Sequence, residues 1–235
     1  MWTSSPWTPR ASSSRGSCAA STRRTETLNT DHAPSISTSR DGASAPAPGS
    51  RRDAILTAAA RYFAAEGYHS AGMRGIADSV GIKGASLYNH FGSKEEILYA
   101  IALTMTRVPV EEHLVVLDEP GSPAERLTRL IGVHLRHLAV HRVEHLVSLR
   151  ELAALTPEHR TVVVDYRKYY QRRVRDVVAA GVRAGEFHVA DPLRASVAAL
   201  DLMNGVSWWL RDDHDVDGLV DTYIDYIVNG ILRHG

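Results

Sequence analysis

Three times between residues 120 and 192, a side chain able to cap a helix is followed at once by proline: Ser122-Pro123, Thr156-Pro157 and Asp191-Pro192. Proline at the first helical position loses no intrahelical hydrogen bond, and its fixed φ already suits the turn. Glu125, three residues after Ser122, completes a reciprocal capping pattern. The stretch opened at Thr156 runs to Ala184 and stops at Gly185, the one opened at Asp191 runs to about Leu210, and a last one runs from Asp217 or Gly218 to Leu232. Upstream, Ile55, Ala59, Tyr62 and Phe63 share one helical face before Gly67. A helix from Lys94 meets Pro109, which should end or kink it. No alternating strand pattern follows Ser50. The punctuation predicts an all-α chain of about nine helices, without internal repeats.

Residues 1–50 have a different texture. They hold twelve Ser, seven Thr and five of the ten Pro, and their large aliphatics beyond Met1 are only Leu28 and Ile36. Such a segment cannot bury enough apolar surface to offset its ordering entropy and is expected to be a disordered arm. It lacks the apolar stretch of a secretory signal. The chain has no run of eighteen apolar residues, so no membrane span is expected. The single Cys18 excludes a disulfide within the chain and suits a reducing compartment, so a cytoplasmic location is expected.

Met73 to Phe91 is the most informative stretch. A short helix, Met73 to Val80, turns Ile76, Ala77 and Val80 inward. Gly81 stands where a tight turn needs positive φ, and Ile82 anchors that turn. A second helix, about Lys83 to Phe91, buries Leu87 and Phe91. This is a helix-turn-helix pattern, whose second helix can enter the major groove of DNA. Lys83, Gly84, Ala85 and Ser86 occupy its base-reading end, and the small Gly84 and Ala85 let the backbone approach. Tyr88, Asn89 and His90 lie on the next turn, Arg74 flanks the first helix, and Lys94 follows the cap Ser93 as a phosphate contact.

The string Gly75-Ile76-Ala77-Asp78-Ser79-Val80-Gly81-Ile82, then Ser86-Leu87-Tyr88-Asn89-His90-Phe91, then Ser93-Lys94-Glu95-Glu96-Ile97-Leu98, resembles the tetracycline-repressor (TetR) family, as does the preceding Ile55…Phe63…Gly67-Tyr68 helix. The resemblance covers residues 51–100 closely, and beyond them extends by helix count and length. It implies a helix-turn-helix head over 51–97 and a ligand-binding and dimerisation body over 98–235. It further implies a homodimeric repressor on double-stranded operator DNA, released by a small-molecule effector. Ala71-Gly72 stand where the family commonly has Thr, leaving Ser70 as the expected cap, and Lys83 stands where Ser or Thr is common.

The body offers three clusters. His134, His137, His141 and His145 lie near one helical stripe; they read as pocket-lining or amphipathic positions rather than a metal site. Tyr166, Tyr169 and Tyr170 at i, i+3, i+4 can wall a pocket, while Arg167, Lys168, Arg172, Arg173 and Arg175 read as a solvated face before a phosphate site. Trp208 and Trp209 cannot share a helical face, so one is expected in the pocket and one at a subunit contact. The ligand set expected from these clusters is His134, His137, Arg150, Tyr166, Tyr169, Tyr170, Asn204, Trp208 and Arg211, with no cofactor and no metal. Tyr169, Gly185-Glu186-Phe187 and Asn204…Trp208-Trp209-Leu210-Arg211 look like the branch of the family that senses fatty or steroid acyl-coenzyme A, which implies an acyl-CoA thioester or other hydrophobic inducer. Ala195, Ala199 and Leu202, with Tyr223 and Ile227 on the last helix, form the expected dimer interface.

An activator with the same head, a drug-like aromatic inducer and a helical enzyme are the alternatives. No nucleophile elbow, phosphate loop, zinc-protease or dinucleotide pattern supports the last. The net charge is zero, yet it is unevenly placed. Residues 1–50 carry five Arg against three acids, residues 51–94 six bases against three acids, and the remainder sixteen bases against twenty-one acids. A basic head on an acidic body suits DNA contact at one end only.

Overall fold

The computed structural model describes residues 50–233, so the predicted arm lies, but for Ser50, outside the described residues. Ser50 itself caps α1 (Arg51–Glu66). Its Oγ accepts from the Asp53 N–H at 3.2 Å, and an Asp53 carboxylate oxygen accepts from the Ser50 N–H at 3.3 Å. Nine α-helices and no strand occur among the described residues. α2 (Met73–Val80) and α3 (Gly84–Tyr88) flank the turn at Gly81, whose φ of 71° is left-handed as predicted. α3 is shorter than the pattern suggested: Asn89 caps it, and the chain tightens as both His90 and Phe91 donate to the Leu87 carbonyl.

α4 (Lys94–Val108) ends as a regular α-helix at Pro109, as expected, but the chain stays helical. Proline has no N–H for the carbonyl four residues back. The chain widens into a π turn over Pro109–His113 and then tightens into a 3-10 turn over Leu114–Leu117. α5 (Pro123–Val140), α7 (Pro157–Arg183) and α8 (Pro192–Trp209) begin at the three Pro positions, capped by Ser122, Thr156 and Asp191. α6 (Arg142–Arg150) follows α5 directly, and α9 (Val216–Ile224) runs on as a wider helix over Asp225–Leu232.

Two hydrophobic cores result. One gathers Ile55, Phe63, Ile76, Leu87, Phe91, Ile97, Leu98 and Ile101 from α1 to α4, and also takes in Val147, Leu155 and Val163 from the later helices. The other joins α5, α7, α8 and α9 around Leu127, Ile131, Val174, Phe187, Met203 and Ile227. α4 contributes to the first core with its early residues and reaches the cavity described below with Met105 and Thr106. No described helix is long and apolar enough to cross a membrane.

Candidate functional site

A five-residue helix has no stability of its own. α3 holds its place through Leu87, which is fully buried, and Phe91. Arg52 of α1 locks the exit: its Nη1 donates to the His90 carbonyl at 3.0 Å, and its guanidinium lies 4.1 Å from the Phe91 ring centre. α2 approaches α1 so closely that a Cβ on Gly75 would strike the Tyr62 hydroxyl. The outer surface of this unit is a shallow hollow lined by Arg74, Asp78, Gly81, Lys83, Gly84, Ala85 and Tyr88. Arg74, Lys83, Ala85, Tyr88 and Asn89 are exposed, while Gly84, Ser86 and His90 are half-buried. Tyr88 shows 56% of its surface, large for an aromatic ring. A Cβ on Gly84 would meet no atom within 4 Å, so the helix start is open to a close approach.

Two expectations for this face need correction. Lys94 is not free for a phosphate. Its ammonium donates to the carbonyls of Tyr68, His69 and Ala71, each at 3.0 Å, and sits 4.7 Å from the Tyr68 ring centre. An ammonium has three donors, and all three are used within the chain. Ser70 does not cap α2 either; the cap position is Gly72, with no side-chain hydrogen bond.

The second site is a cavity of about 300 Å³ among α4, α5, α6, α7 and α8. His134, His137, Tyr166, Tyr170 and Asn204 of the expected ligand set line it. His134 bridges two neighbours, Nδ1 to the Tyr170 hydroxyl at 3.0 Å and Nε2 to Asn204 Oδ1 at 3.3 Å. Among the lining residues outside the expected ligand set, three carry polar chemistry deep in the wall. His145 joins from α6, its Nδ1 2.9 Å from Ser207 Oγ; Ser148 stands one turn on; Arg167 reaches in from α7. Helical spacing could have found Arg167, which precedes Tyr170 by three residues and Gln171 by four.

Burial lowers every imidazole here, with neighbouring charges adding to it. His134 falls to about 3, helped by His145 and His137, and His137 to about 3, helped by His113 and His141. His145 falls to about 4, helped by Arg167, and His113, beside the cavity, to about 4, helped by His134. All four are therefore neutral at pH 7. Burial also raises the Tyr170 phenol. No three of these groups come together as metal ligands among the described residues.

The remaining ligand candidates lie elsewhere. Tyr169 is buried in the core, its hydroxyl accepting from Arg173 at 3.4 Å. Arg150 is exposed and stacks on Trp208, 4.6 Å from the ring centre. Arg211 is exposed beyond the end of α8. Neither tryptophan enters the cavity: Trp208 and Trp209 expose 55% and 46% of their surfaces. α8 needs its inward face for Val206 and Ser207, and that rotates both indoles outward.

The predicted dimer residues are corrected as well. Ala195, Ala199, Tyr223 and Ile227 are buried in the chain's own core, and Leu202 packs against it. An apolar stripe tells which face is covered but not by which chain; here the cover comes from neighbouring helices of the same chain. The large apolar side chains left outside on α8 and the final helix are Leu193, Trp208, Trp209 and Tyr226.

Residues 55–101 match the family model for bacterial regulatory proteins of the tetR family, and residues 120–231 match the tetracyclin repressor-like C-terminal domain. The HTH-type transcriptional repressor KstR2 of Mycolicibacterium smegmatis is 32% identical over 141 residues, 60% of this chain and 69% of that protein. Among solved structures, the TetR family regulator PfmR from Thermus thermophilus is 31% identical with a TM-score of 0.70, covering 76% of this chain and 99% of that one. AibR, solved in complex with isovaleryl coenzyme A and operator DNA, is 26% identical with a TM-score of 0.67, covering 76% of this chain and 98% of that one.

Proposed function

The chain belongs to the TetR family of bacterial regulatory proteins, which are DNA-binding transcription factors and not enzymes, and from that premise we propose that it is a homodimeric repressor released from its operator by an acyl-CoA-type or other small hydrophobic inducer. The observation that carries this reading is the open face of α2 and α3, where Arg74, Lys83, Gly84, Ala85 and Tyr88 share one surface. Lys83 and the start of α3 enter the major groove, and Arg74 and Tyr88 serve the backbone or base edges. Two such heads about 34–36 Å apart read successive grooves, so the operator is near-palindromic. The outward side of α8 and the final helix, with Trp208, Trp209 and Tyr226, is the dimer face.

The effector binds in the cavity. The chain's likeness to AibR, whose structure holds isovaleryl coenzyme A, supports a thioester. α4 is the connector, since Ile97, Leu98 and Ile101 belong to the DNA-binding core while Met105, Thr106 and Pro109 line the cavity. A second tie runs beside it: Glu95 accepts from the Thr156 N–H at 3.0 Å and meets His159 Nδ1 at 2.9 Å, and His159 stacks on Tyr99. A ligand that binds better when α4 is displaced shifts the pair of heads away from the DNA spacing, by no more than its differential affinity. A gel-shift titration with DNA flanking the gene tests this. Binding by the wild type, its loss in Lys83→Ala and release by isovaleryl-CoA are expected; stable binding at saturating thioester contradicts the inducer.

A further inference from the structure

Arg167 is a cation of the cavity wall with no counter-charge among the described residues. Its companions on α7 are matched or solvated: Arg173 meets Asp118 at 2.6 Å, Arg175 meets Asp176 at 2.7 Å, and Arg172 lies over Tyr169. Arg167 turns inward instead, and its Nη2 donates to the carbonyl of Ser148 at 3.0 Å and to its hydroxyl at 2.8 Å. Both acceptors are neutral. Among the described residues, no carboxylate lies within the 4.0 Å of an ion pair with it. Asp201 lines the same cavity from α8 but is exposed and outside that range.

Burial lowers the Arg167 pKa, and no neighbouring acid offsets it. The lining imidazoles are neutral, so among the described residues this guanidinium is the single formal positive charge of the cavity wall. A further buried nitrogen, Nε2 of His137, has no hydrogen-bond partner, and His137 lines the same cavity. A buried charge is costly unless matched, and a guanidinium fork suits the two oxygens of a carboxylate.

We propose that the cavity takes a ligand whose buried end is a carboxylate, held by Arg167 with His137 as a second donor. The proposal rests on the ligand-responsive reading above and sharpens it to a chemical class. Two sources offer that chemistry: a free medium-chain acid, and a thioester whose acyl chain ends in a second carboxylate.

Calorimetric titration of the full chain separates them. Octanoate is compared with octanamide, and glutaryl-CoA with valeryl-CoA. In at least one pair the acid is expected to bind about tenfold or more tightly than its neutral partner. Arg167→Met should abolish that preference, with circular dichroism confirming the helical fold, and Arg167→Lys should keep part of it. A preference in the first pair alone points to free acids, and in the second alone to thioesters. Equal or better binding of the neutral partners, no binding of either acid, or an undiminished preference in Arg167→Met overturns the proposal. An acid that binds with the predicted preference but leaves operator affinity unchanged supports the carboxylate site and counts instead against the inducer reading.

Discussion

The DNA-facing surface and the cavity are built by opposite means. The first depends on a short run of local chain, with small residues and exposed cations presented by a turn at Gly81. The second is assembled from α4, α5, α6, α7 and α8, whose lining residues are as far apart in the chain as Met105 and Asn204. A surface made by neighbours in sequence keeps its chemistry open to solvent. A cavity made by distant helices surrounds polar groups with protein and changes their protonation, as the four depressed imidazoles do here.

The largest test of that contrast is acid. For His113, His134 and His145 the folded pKa lies below the unfolded value of about 6.5, so the unfolded chain takes up protons first as pH falls. Their stabilising effect is complete above about pH 6.5 and is lost as pH drops toward about 4. Denaturant melts at about pH 7.5 and about pH 5 should differ by on the order of 2 kcal/mol for each of these groups, at about 1.4 kcal/mol per unit of depression. Equal stability at both pH values would mean that the imidazoles are not held neutral.

Next comes the support beneath the DNA face. Leu87→Ala should cost about 3 kcal/mol and abolish operator binding, because a helix this short depends on the packing of Leu87 and Phe91 for its place. Lys94→Met separates clamp from phosphate contact: a loss of about 2 kcal/mol in stability is expected, with the salt dependence of operator binding unchanged. A salt slope lower by about one with stability intact would restore the phosphate role. Lys83→Ala is the converse, costing about 1–3 kcal/mol in operator affinity with the melting temperature unmoved. The smallest effect belongs to Trp208→Ala, expected to shift folding of a single chain by under about 0.5 kcal/mol. It should nevertheless weaken self-association in sedimentation if the outward face of α8 is the dimer contact.

What was legible in the chain follows the same division. Ser122, Thr156 and Asp191 announced their helices because capping is decided within about four residues. The turn at Gly81 and the burial of Leu87 were equally local. The clamp made by Lys94 is invisible in the sequence because its acceptors lie 23 to 26 residues upstream and are backbone oxygens, which leave no mark on residue identity. Ala199 and Ile227 showed an apolar face, but helical period does not say whether the same chain or another copy covers it. The spacing of Tyr166 and Tyr170 marks both as cavity walls, whereas Arg167 stands in a run of otherwise solvated or paired cations. Its spacing of three before Tyr170 marks it as a cation of that run on the cavity side, and packing shows that it is turned inward.

On the proposed reading, occupancy of the cavity governs the spacing of the DNA-binding faces. Fluorescence anisotropy of a labelled operator fragment, titrated with the tightest-binding acid or thioester, tests it most directly. Release of the DNA is expected, with a midpoint that tracks the ligand dissociation constant and shifts to higher concentration in Arg167→Met. Saturation of the cavity by that ligand, verified by calorimetry, with no change in operator affinity would contradict it.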